Sequence, residues 1–156
     1  MNIRKAIKQD IPQIENLLYQ VQKIHSDKRP DIFKSGGQKY TTEDLIHILE
    51  DSNKPIYVAE KNDIIEGYAF CIFKQHETTS MTNIKTLYID DLCVSENVRG
   101  QGIGLEIYNY VLEVAKQSKC YNVTLNVWAC NESAKKFYDK CGLQIQKFGM
   151  EQIVGE

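Results

Sequence analysis

The chain alternates between two rhythms of apolar and polar residues. Ile3 to Ile7 alternates with a period of two and predicts a strand. Ile11, Ile14, Leu18 and Val21 then fall on one helical face, with Asp10 as the expected cap, Pro12 in the first turn and Gln13 closing a capping box. His25 to Tyr40 keeps no period and contains a proline and paired glycines, which predicts a long loop with one helical turn at most; loops of this length in compact domains are often functional. Thr41 starts a second helix, with Asp44 at the box position and Leu45, Ile46 and Leu49 on its apolar side. Pro55 to Phe73 reads as a hairpin turning at Lys61–Asp63. A polar loop, His76 to Asn83, precedes another strand, Ile84 to Val94. Leu105, Tyr108, Leu112 and Ala115 resume helical spacing. Asn122 to Ala129 predicts a strand, Asn131 to Cys141 a helix ended by Gly142, and Leu143 to Glu151 a final strand.

This order predicts one mixed α/β domain spanning residues 1–156. The helix between Leu105 and Lys119 requires its flanking strands to be parallel if they share a sheet. A length of 156 residues with 42% hydrophobic content suits a single buried core. The net charge of −2 gives no basic field for nucleic acid. The first ten residues lack the apolar run of a signal peptide, and no window approaches the roughly 20 apolar residues of a membrane span, so neither export nor a membrane partner is expected. Five cysteines, none in C-x-x-C, argue for reduced thiols in the cytoplasm and against a zinc site or any other metal.

The segment Asp91–Lys116 carries three glycines at alternate positions, Gly100, Gly102 and Gly104, just where the helix should begin. A strand–glycine loop–helix arrangement offers bare backbone N–H groups at the positive helix end, a ready phosphate site with Arg99 beside it. The nucleoside triphosphate pattern needs a Lys-Ser or Lys-Thr that does not follow. The dinucleotide pattern needs a third glycine at position 105 or 107, where Leu105 and Ile107 stand.

Arg99, Gly102 and Gly104 do fit Arg-x-x-Gly-x-Gly. With "YIDDLCV" before them and "NVWACNESAKKFYDKCGL" after, the chain resembles the GCN5-related N-acetyltransferase (GNAT) superfamily, most specifically from Leu87 to Leu143. The resemblance implies a central, mostly antiparallel mixed sheet of about six to seven strands, splayed at a bulge and flanked by about four helices. It implies acetyl-coenzyme A as cosubstrate. Gly100, Gln101, Gly102, Ile103, Gly104 and Leu105 would hold its pyrophosphate with Arg99, while Leu92, Cys93 and Val94 would pair with the pantetheine arm like an added strand. Asn131, Ser133, Ala134 and Tyr138 on the last helix complete that surface. Tyr138 matches the family tyrosine near the sulfur and is the expected general acid.

Acetylating an amine requires the amine neutral, although its ordinary pKa is about 10.4. Two adjacent carboxylates, Asp90 and Asp91, inside an apolar strand suit that task, Asp90 first as base or amine anchor and Asp91 second. Strand alternation points them to opposite faces. Their charge favours a small cationic amine, and "YIDDLCV" is similar to the acidic strand of diamine and polyamine acetyltransferases. His25, Arg29, Phe33 and Trp128, with Asp90, are expected around the acceptor. The competing readings are a protein N-terminus or lysine as acceptor, and a non-catalytic acyl-coenzyme A sensor. A homodimer through the late strands is a further expectation of the resemblance.

Overall fold

The computed structural model describes residues 1–156. The elements run β1 (Asn2–Lys5), α1 (Ile11–Lys28), α2 (Thr42–Glu50), β2 (Ile56–Lys61), β3 (Ile64–Gln75), β4 (Lys85–Val94), α3 (Ile103–Gln117), β5 (Asn122–Leu125) and α4 (Glu132–Cys141). The sheet has five strands in sequence order, not six to seven. β1 to β4 pair antiparallel, and β5 lies parallel to β4, as the helical crossover requires. From Leu143 onward there is no regular structure, so the last predicted strand is absent. Alternation alone does not make a strand; the segment pairs with neither outer edge of the sheet, β1 nor β5, and Ile145, Phe148 and Met150 stay exposed.

Two apolar layers sandwich the sheet. Ile56, Val58, Tyr68 and Phe70 pack with Ile14, Leu17 and Leu18 of α1 and Leu45 of α2. Tyr57, Ala59, Ala69 and Cys71 pack on the other face with Ile107 and Val111 of α3. Both faces of β2 and β3 are covered, which is why their central residues form apolar runs rather than strict alternation.

Local signals explain most element ends. Thr41 Oγ1 accepts from the Asp44 amide and Asp44 accepts from the Thr41 amide, closing the expected box. Asn62 and Asp63 take positive φ (52° and 63°), the left-handed pair that a two-residue hairpin turn needs. The first helix starts differently from expectation. Asp10 makes no side-chain cap; its carboxylate accepts from the Ile7 amide and from Arg4, while Gln13 reaches across to Asp63 and Ile65. A buried carboxylate with a guanidinium in reach satisfies more of its charge there than at a helix amide. α1 also runs on to Lys28, so His25 is helical and the loop begins at Arg29.

One irregularity positions the site. The β3–β4 register shifts between Phe70 and Cys71, so that Phe70 faces Asp91 while Cys71 faces Ile89, leaving Asp90 as an extra residue. Before this bulge Leu87 and Ile89 point toward α3; after it Leu92 and Val94 do, and Cys93 points toward α1.

Candidate functional site

β5 stops pairing at Leu125, opposite Ile89. The β4 edge from Asp90 to Val94 therefore has no strand beside it. A cleft of about 660 Å³ opens there, bounded by α1, the β4 edge, the α3 N-terminus, residues 125–128 and α4. It is lined mainly by apolar groups, with a few polar side chains, as small-molecule sites usually are.

At one end lies the glycine loop. Gly100 and Gly102 take φ of +81° and +82°, a region L side chains avoid, and a Cβ on either would meet nothing within 4 Å. Gly104 serves packing instead: its Cβ would stand 3.2 Å from the Phe137 ring and 3.5 Å from Val94 Cγ2. No backbone N–H from Arg99 to Leu105 donates to another protein group. These amides surround the start of α3, where the helix dipole adds positive potential. Arg99 Nε donates to the Val94 carbonyl at 3.3 Å, which ties the loop to the strand edge. The open concavity and its free donors fit a diphosphate, and the adjoining unpaired edge fits an extended amide-bearing chain.

At the other end the two aspartates meet. Alternation had put them on opposite faces; the bulge puts both on the α1 side, and both line the cleft. Tyr68, wholly buried on β3, donates to Asp91 Oδ2 at 2.7 Å. Burial pushes the Asp91 carboxyl up to about 6, although the Tyr68 hydroxyl and the Lys39 charge pull it down. Asp90 accepts from the Tyr40 hydroxyl, and its other oxygen is 3.0 Å from Lys39 Nζ. Tyr40 stacks on Phe70 at 5.4 Å between ring centres, which fixes its hydroxyl.

α4 closes one side. The Asn131 carbonyl oxygen of the side chain accepts from the Ala134 amide at 3.3 Å and from Ser133 Oγ at 3.3 Å, so Asn131 is a helix cap and also faces the cleft. Tyr138 lines the cleft, and its pKa is raised by burial and by the Asp91 charge. The phenol is thus held protonated. An aromatic wall closes the opposite side: His25 lies 4.8 Å from Phe33, and Phe33 meets Trp128 edge-on at 5.0 Å. Burial, then the Lys39 charge, lowers the His25 pKa, which keeps the imidazole neutral at pH 7.

Among the residues expected at the site, Arg29 and Gln101 do not line the cleft. The Arg29 guanidinium is held by Asp31 at 2.9 Å and Glu151 at 2.6 Å, fastening the loop to the C-terminal segment. Cys93 borders the cleft, but its thiol is buried against the Leu17 carbonyl, and burial pushes it up to about 12. A thiol so held is no nucleophile at neutral pH. Lys39, Tyr40 and Tyr68 were not singled out from the sequence. A buried tyrosine must find a partner for its hydroxyl, which was the one available signal for Tyr68; for Lys39 and Tyr40, inside an aperiodic loop, there was none.

Comparison with known proteins agrees with this geometry. The sequence profile of the acetyltransferase (GNAT) family matches residues 18–143. The chain is 27% identical over 135 residues to thialysine N-epsilon-acetyltransferase of Mus musculus, covering 86% of this chain and 73% of that one. It is 34% identical over 58 residues to probable glucosamine 6-phosphate N-acetyltransferase 2 of Oryza sativa subsp. japonica, covering 37% of this chain and only 33% of that relative's length. The mutant BH1408 protein from Bacillus halodurans has the same fold, with a TM-score of 0.94, 31% identity and 99% coverage of both chains. With that profile spanning the β4 edge, the glycine loop and the Tyr138 helix, the chain belongs to the acetyltransferase (GNAT) family.

Proposed function

We propose that the protein transfers the acetyl group of acetyl-coenzyme A to the primary amine of a small acceptor by direct attack. The observation that carries this reading is one continuous cleft. It runs from the free amides of residues 99–105, along the unpaired β4 edge, to Asp90, Asp91 and Tyr138. Acetyl-coenzyme A, when bound, supplies a thioester whose carbonyl carbon is open to an amine.

The chain's residues divide the remaining work. The amides at the α3 start hold the diphosphate, and the strand edge from Leu92 to Val94, which has no strand beside it on the β5 side, orients the arm along β4. A backbone N–H of this edge, at Val94 or its neighbour, stabilises charge growing on the carbonyl oxygen. Asp90 anchors the incoming cation. Asp91, with its carboxyl raised to about 6, accepts the proton the amine must lose, because a base is most effective with a pKa near the working pH. This exchanges the ranking expected from sequence: the residue with the hydroxyl and ammonium partners anchors, and the more desolvated one takes the proton. Tyr138, held protonated, gives a proton to the departing sulfur. His25, Phe33 and Trp128 form the apolar wall against which the acceptor lies.

Two acidic side chains beside an apolar wall favour a compact cationic amine over an acidic one. Relatives named for thialysine and glucosamine 6-phosphate are consistent with a small amine acceptor. The loop from Arg29 to Tyr40, tied down through Arg29 and Lys39, covers the acceptor end and favours a small molecule over an extended peptide. Five unpaired cysteines support a reducing compartment such as the cytoplasm.

Thiol release from acetyl-coenzyme A, followed over a panel of diamines, amino acids and amino sugars plus peptides with free N-termini, tests this. Release with a small amine is the expected result. Acetyl-coenzyme A binding without release on any amine would leave a sensor, and release only with peptides would move the acceptor to protein.

A further inference from the structure

The candidate anchor for the acceptor amine already holds an amine. Lys39 Nζ lies 3.0 Å from Asp90 Oδ1 and 3.4 Å from the Asp90 carbonyl oxygen. It is the only lysine that lines the cleft. Its charge is felt by Asp91 and by His25, which places the ammonium among the titratable groups at the acceptor end. Tyr40, the next residue, is locked by its stacking on Phe70 and its bond to Asp90, so the Lys39 backbone is held in place. The side chain nevertheless remains 45% exposed, as a group entering an open cleft should be.

We propose that Lys39 is a self-acetylation site, its amine taking the position of the external acceptor. This rests on the acetyl-transfer reading of the cleft and adds a substrate to it: the chain's own loop. The ammonium first loses one proton to solvent through the carboxylates. The neutral Lys39 nitrogen then bonds to the thioester carbonyl carbon as the carbon–sulfur bond breaks. The nitrogen gives up a second proton to Asp91, while the sulfur takes one from Tyr138, and that proton passes back to the phenol. The products are an amide on Lys39 Nζ, coenzyme A with a free thiol, and one proton released to solvent. No oxidant or further reactant is required. The amide has no charge, so the ion pair with Asp90 is lost with the reaction.

Positioning of a nucleophile inside the site can raise its rate by many orders of magnitude over an untethered one, so even a small share of that effect should give Lys39 at least about tenfold selectivity over surface lysines. The test incubates the purified full-length chain with acetyl-coenzyme A near pH 7.5 without any added amine, and maps acetylated lysines by peptide mass over time. Lys39 should be acetylated at least about tenfold faster than Lys54 or Lys116, with a first-order rate constant independent of protein concentration. Unfolding the chain in denaturant should erase the preference, and Asp90→Asn should slow Lys39 without changing Lys116. Equal labelling of Lys39 and the surface lysines, or a preference that survives denaturation, would overturn the proposal. The same samples are assayed with the amine panel. Turnover of a free amine while Lys39 stays unlabelled overturns self-acetylation alone; no coenzyme A release under either condition overturns the acetyl-transfer reading with it.

Discussion

Replacing Tyr68 with phenylalanine removes one hydroxyl and leaves the ring. That hydroxyl donates to Asp91 at 2.7 Å from a wholly buried side chain, so no water takes its place without rearrangement. A hydrogen bond to a charged group contributes about 1.5–3 kcal/mol. One pKa unit corresponds to about 1.4 kcal/mol, so Tyr68→Phe should raise the Asp91 pKa by one to two units, from about 6 to about 7 or above. The measurement is kcat/KM for one amine from about pH 5 to about pH 9, taken as the ratio of variant to wild type. The ratio cancels the titration of the amine itself. With a one-unit shift it should lie near one at the alkaline end, fall to about one half at pH 7, and settle about tenfold down below pH 6. A flat ratio across the range, or a variant that gains on wild type in acid, would refute Asp91 as the proton acceptor.

Four further outcomes follow from the same geometry. Tyr138→Phe should lower kcat by about 10²-fold or more while calorimetric affinity for acetyl-coenzyme A is kept; wild-type turnover would remove Tyr138 as the acid. Gly102→Ala and Gly36→Ala both place a side chain at positive φ (+82° and +75°) in open space, at a strain of about 1–2 kcal/mol each. Only Gly102, which lines the cleft, should lose acetyl-coenzyme A affinity, and equal affinities in the two variants would refute the diphosphate cradle. Gly67→Ala puts a Cβ 2.7 Å from the Cys93 carbonyl oxygen and 2.8 Å from Ile107 Cδ1, so the urea midpoint should fall by about 1–3 kcal/mol of stability; an unmoved midpoint would mean that β4 and α3 yield freely. Asp91 has its carboxyl raised above the unfolded value of about 3.9, so its contribution is full below about pH 4 and lost as pH rises through about 6. Asp91→Asn should therefore gain stability relative to wild type, by up to about 3 kcal/mol, across that window, and a difference independent of pH would contradict the burial assigned to this carboxyl.

The parts of this molecule that depend on neighbours in sequence were legible before any coordinates. The Thr41–Asp44 box, the Asn62–Asp63 turn, the parallel return after α3 and the glycine-bearing helix start all follow from a few adjacent residues. What depends on distant partners was not legible. Asp10 could not be known to prefer Arg4 over its own helix. The alternation of Leu143–Glu151 gave no sign that the segment would pair with neither outer edge of the sheet. The cleft was read in the same proportions. Its cofactor wall, built from β4, α3 and α4, carries contiguous motifs. Its acceptor wall joins α1, a loop and the end of β5, so Lys39 and Tyr40 became visible only through their contacts with Asp90. Whether Asp90 and Asp91 share a face was decided by an extra residue whose presence no local pattern announces.

That extra residue is surplus to the strand pairing on either side of it. Substituting Asp90 changes a charge and leaves every later side chain where it was. Deleting it would join Ile89 directly to Asp91, close the bulge, and leave Asp91 through Val94 opposite the same residues of β3. Cys93 would still face α1, and the aliphatic pair at 92 and 94 would still face α3, so both packed layers would keep their contents. The sheet thus carries the second carboxylate as an addition that its own packing does not require.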